Sequence, residues 1–209
     1  MANSKRDALF RRTGRPRREV HLKWRRDVAE FRCFAEAFQR VAQDALSAAR
    51  TDPLCFRAIT EFRAIPIVAL YRHALELHLK AVILAGRGMV ELTGGERISE
   101  GRVTSTHDLK ELGGFMLRVF AAFGWEWEKQ PPRVFSRRNF ESILRQFQER
   151  DPGDAFRYPW PRVDPKPISF DVFEFCSKLD TLFLALSNAS LQAHEDLQDE
   201  YVTRSEGAE

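Results

Sequence analysis

Metal, nucleotide and hydrolase signatures are missing from this chain. There is no GxxxxGK[ST] phosphate loop, no GxGxxG, no HExxH and no GxSxG elbow, which removes the chemistries those spacings build. Cysteine is scarce. The three cysteines, Cys33, Cys55 and Cys176, have no CxxC spacing and sit inside apolar helical patterns, so they read as reduced core thiols rather than as a disulfide frame or zinc site. No metal and no cofactor are expected. No apolar run is both long enough and free enough of charge to cross a bilayer, and the start does not resemble a signal peptide, so a cytoplasmic protein with no membrane partner is expected. Charge of one sign is not dominant either: the formal net charge is +3, too small for the whole-molecule field to argue for nucleic acid. Strand-type alternation and internal repeats are also absent.

What the chain does have is helical periodicity. Its 209 residues are 44% apolar, enough for one core. The clearest stretch begins at Ala64 and reads AIPIVALYRHALELHLKAVILAG. Ile67, Leu70, Tyr71, Ala74, Leu77, Ala81, Val82 and Ala85 recur at three- and four-residue steps, the pattern of a helix buried over most of its circumference. Pro66 suits its first turn, and Gly86 the position just past its end. Arg72, His73, Glu76 and Lys80 gather on one narrow strip, while His78 falls near the middle of the apolar face.

Taken in order, residues 1–19 form a basic arm, with Arg11, Arg12, Arg15, Arg17 and Arg18 around Gly14 and Pro16. Too little apolar surface is present to order it. Such an arm can neutralise phosphates on RNA or DNA, or serve as a solubilising or packing tail. A single domain is expected over residues 20–200, with a frayed tail at 201–209. Residues 20–50 carry a long helical pattern that ends at Thr51-Asp52-Pro53, and residues 54–62 suit a short helix. After Gly86 comes a loop rich in glycine and charge, with a small hairpin between 89–92 and 102–104 as the alternative. Ser105 or Thr106 reads as the cap of the next helix, with Asp108 in its first turn, and Gly113-Gly114 permits close approach of a neighbour. Another helix is expected at 136–150, then a segment holding four of the ten prolines, which must be largely extended. A final helix follows, with Ser169 as cap and Asp171 in its first turn, running toward Glu200. The fold class is therefore all-α: a bundle of four to five helices with an irregular proline-rich cover segment.

Three runs in this order, YRHALELHLKAVILAG, HDLKEL after the Gly-rich loop, and DPGDAFRYP before the closing helix, resemble bacterial members of the HEPN superfamily (higher eukaryotes and prokaryotes nucleotide-binding). The resemblance covers residues 20–191 and leaves out the basic arm. It implies a helical bundle, a homodimer, and a metal-independent endoribonuclease of a toxin–antitoxin or anti-phage system, with RNA as substrate and a cognate antitoxin as partner. The alternative it implies is a non-catalytic interaction or RNA/nucleotide-binding module acting with a partner protein.

The ribonuclease branch of that family carries an arginine, a polar residue and, after four to six intervening residues, a histidine. Arg72, His73 and His78 occupy those places. The residue types suit the chemistry, because attack by an RNA 2′-hydroxyl needs a group titrating near neutrality and a fixed cation for the phosphate. Lys80, Arg157, Arg15, Arg17 and Arg18 complete the candidates for phosphate contact. Two bland readings stand beside these: a core histidine at His78, and an i, i+4 ion-pair ladder through Arg72, Glu76 and Lys80. Arg157, between Phe156 and Tyr158, suits a contact to a carboxylate such as Glu76 as well as to phosphate. His107 suits either chemistry or a helix cap.

Overall fold

The structure, a computed structural model, describes residues 28–51, 64–126, 136–150 and 169–206. The basic arm, the short helix expected at 54–62 and the proline-rich segment, with Arg15, Arg17, Arg18 and Arg157, lie outside them. The described residues form six helices and no strand: α1 Val28–Thr51, α2 Ala64–Leu92, α3 Glu100–Ser105, α4 Leu109–Ala122, α5 Arg137–Arg150 and α6 Val172–Glu206. The fold is an all-α bundle. None of these helices is long and apolar enough to cross a membrane.

Helix α2 is the axis. It packs against α1, α4 and α6, and touches α3. Ile67, Val68, Ala74, Leu75, Leu79, Val82 and Ile83 on it are all buried, as a helix apolar almost all round requires. Helix α5 reaches the core through α4, burying Phe140, Leu144 and Phe147.

Several helix ends and caps differ from those expected of the sequence. Helix α2 does not stop at Gly86 but runs to Leu92. A Cβ at Gly86 would lie 2.4 Å from Val119 Cγ1 and 2.9 Å from Phe123 Cε2, so this glycine serves close approach of α4 rather than termination. The turn comes at Gly94, whose φ of 79° favours glycine. No hairpin follows. Residues 89–92 finish α2, and 100–105 form α3, capped by Ser99, whose side chain accepts from the Arg102 amide. The extra short helix is why six helices stand where four or five were expected.

The caps shift as well. Asp108, not Ser105 or Thr106, caps α4, accepting from the amides of Lys110 and Glu111 at 2.8 and 3.1 Å. Asp171, not Ser169, caps α6, accepting from Phe173 and Glu174 at 2.8 and 3.0 Å. A carboxylate at that position is favoured twice, by the hydrogen bonds and by the helix dipole. Finally, α6 continues to Glu206, where Arg204 pairs with Glu200 at 2.7 Å and donates to the Leu92 carbonyl at 3.4 Å. Gly113 meets its expectation: a Cβ there would fall 2.2 Å from Leu144 Cδ1.

Candidate functional site

The polar strip of α2 is closed over. Arg72, Glu76 and Lys80 are 2, 1 and 3% exposed. Their i, i+4 spacing stacks them on one face of the helix, and that face lies under the connector from α3 to α4. Glu76 Oε1 accepts from Lys80 Nζ at 2.9 Å, and Glu76 Oε2 from Arg72 at 3.4 Å. The same two cations reach over to the next elements: Lys80 donates to the Thr104 carbonyl at the end of α3 at 3.1 Å, and Arg72 to the His107 carbonyl of the connector at 3.2 Å.

His107 completes the cluster. Its Nδ1 stands 2.9 Å from Glu76 Oε1, and its side chain is 63% exposed. An ionised carboxylate only accepts, so Nδ1 carries the proton and donates. Nε2 is then left for solvent or a ligand. Burial alone would raise the Glu76 pKa, but the hydrogen bond and charge of Lys80, followed by those of His107, outweigh it and hold the carboxyl below its ordinary value. Glu76 is therefore ionised at neutral pH, a buried anion answered by two cations and an imidazole.

His78 belongs to different surroundings. Six residues along the helix turn it about 120° from Arg72, into the core, where its ring lies 4.9 Å from that of Phe183. It is 1% exposed, and among the described residues neither of its ring nitrogens has a hydrogen-bond partner. Burial, helped by the charge of Arg32 on α1, pushes its pKa down to about 4. The imidazole is neutral throughout the physiological range. His73 is half-buried, edge-on to Phe38 at 4.5 Å.

The sequence-derived candidates thus fall into separate places. Arg72 and Lys80 join Glu76 and the connector, His73 faces α1, and His78 faces α6. The structure does not bring Arg72 and His78 onto one open surface. Arg157, Arg15, Arg17 and Arg18 lie outside the described residues. His107, which suits either chemistry or a cap in the sequence, is exposed and oriented by Glu76.

A second polar cluster escaped the sequence reading. Asp180 of α6 accepts from Tyr71 Oη at 2.9 Å, from Gln39 at 2.8 Å and from Gln43 at 2.9 Å. It ties α1, α2 and α6 at one point. Burial, then the neighbouring Cys176 and Asp180, raise the Tyr71 pKa well above its ordinary value, and burial pushes the Cys176 thiol up to about 12. Both stay protonated. In the sequence Tyr71 reads only as part of the apolar face, and nothing local marks Asp180, which lies 109 residues away. Among the described residues no group of three His, Cys, Asp or Glu is placed to hold a metal ion.

Comparison with protein-family models, with curated proteins and with solved structures finds no match for this chain.

Proposed function

We propose that this chain is a HEPN-type helical module that works by binding rather than by cutting RNA at Arg72 and His78. In this reading it is a cytoplasmic homodimer acting with a partner protein, and RNA or a nucleotide is the ligand class that the family resemblance implies. The observation that carries it is the enclosure of both motif residues. A general base must reach the proton it removes, and a phosphate-binding cation must reach the phosphate. His78 lies against Phe183 at 1% exposure, and Arg72 is committed to Glu76 and the His107 carbonyl at 2% exposure. On this reading the ladder holds the connector onto α2.

One observation favours a second reading. His107 is an exposed imidazole whose Nδ1 proton is held by a buried, ionised carboxylate, the arrangement that poises Nε2 as a general base. In that reading the chain is a metal-independent endoribonuclease of a toxin–antitoxin or anti-phage system, kept in check by an antitoxin, with His107 as the base. The two readings separate in one assay. Purified protein incubated with single-stranded RNA in the presence of a chelator is expected to leave it intact. Fragments ending in a cyclic phosphate, lost in His107→Gln, would replace the binding module with the nuclease.

A further inference from the structure

The outer face of α1 carries an exposed apolar stripe among the described residues. Phe34 is 42% exposed and Val41 56%, and Ala37, Ala45 and Ala48 are exposed beside them. At the helical period these five residues fall within a stripe roughly 80° wide, turned away from the core-facing Ala35, Ala42 and Leu46. Positions 34, 41 and 48 repeat every seven residues, the spacing of a seam between paired helices. We infer that two copies of the chain pair through this stripe, α1 against α1, antiparallel about a two-fold axis at Val41. This rests on the homodimer proposed above and names its interface.

The stripe is complementary to itself in that orientation. The axis sets Val41 against Val41 of the partner subunit and Ala37 against Ala45 of the partner subunit. Phe34, the bulkiest group, meets Ala48 of the partner subunit, so large faces small at both ends. Charge follows the same symmetry. Arg40 and Asp44 are both exposed and share one flank of the stripe. A two-fold axis perpendicular to the helices lays that flank beside its own copy. Arg40 then stands about 3 Å along the helix axis from Asp44 of the partner subunit, and the reciprocal pair forms on the other side of the axis. Parallel pairing would instead set Phe34 on Phe34 and Ala48 on Ala48, leaving bulk at one end and a gap at the other. A central-helix interface is not open to the dimer, because α2 is enclosed by α1, α4 and α6. A single helix pair buries less than the roughly 800 Å² per partner of a standard interface, so the dimer forms reversibly with concentration.

Sedimentation equilibrium of the full chain under reducing conditions, which keep the exposed Cys33 out of the result, tests this. Wild type is expected to self-associate. Val41→Asp should raise the dissociation constant by about 30-fold or more, with helical signal and Tm unchanged because the position is exposed. Arg40→Asp should weaken the dimer, and Arg40→Asp with Asp44→Arg should restore it. A wild type that stays monomeric would overturn the dimer and this interface together. A wild-type dimer indifferent to Val41→Asp would overturn the interface alone, and a double variant that does not recover would overturn the antiparallel register.

Discussion

Replacing Glu76 by leucine is expected to cost about 3–5 kcal/mol, the range for removing one partner of a buried ion pair. Without the carboxylate, the Lys80 ammonium and the Arg72 guanidinium stand together in the bundle at 3% and 2% exposure. The Thr104 and His107 carbonyls still accept from them, but neither carries a full negative charge. Two like charges held there repel, and each has lost a charge-assisted bond. For a domain of this size the loss corresponds to a Tm lower by about 10 °C, measurable by thermal or urea unfolding. The combined variant Arg72→Met, Glu76→Leu and Lys80→Met should recover much of it, because replacing a whole buried ion network with packed apolar groups is often neutral. A single-variant cost below about 1 kcal/mol would mean that the network does not hold the connector.

The second large effect is on acid stability. The His78 pKa is depressed to about 4 in the folded chain, against an ordinary value near 6.5. With the folded value the lower one, the unfolded chain takes up this proton first. Stability is therefore full above about pH 6.5 and falls as the pH drops toward 4, by about 3 kcal/mol over that window. His78→Leu should remove that part of the acid limb. It also replaces two buried nitrogens that have no partner among the described residues with hydrocarbon against Phe183, so the variant should be no less stable at pH 7 and clearly more stable at pH 5. Urea unfolding at the two pH values measures both. A His78→Leu protein with the same pH dependence as wild type would show that this residue is not the buried titrating group.

The axis of the fold is legible in the sequence because its signal is local. The three- and four-residue recurrence from Ile67 onward predicts a helix buried over most of its circumference, and α2 is one. The i, i+4 spacing of Arg72, Glu76 and Lys80 likewise predicts the ladder, and the rotation of His78 predicts its place on the apolar face. What the sequence hides depends on distant partners. Gly86 reads as a helix end until Val119 and Phe123 are seen against it. His107 is 31 residues from Glu76, and Asp180 is 137 residues from Gln43. No period or spacing records such contacts. The caps were missed for another reason: Ser105, Thr106 and Asp108 all suit a helix start, and the choice falls to the residue whose carboxylate meets two free amides at once.

Titration of the histidine ring carbons by NMR measures the central claim directly, that the polar residues of α2 hold the fold and do not meet substrate. The His78 resonance is expected to change with a midpoint at about 4 and to stay unmoved when single-stranded RNA is added at neutral pH. A His78 midpoint near the ordinary 6.5, shifting on addition of RNA, would place the ring in contact with solvent and ligand and contradict the account.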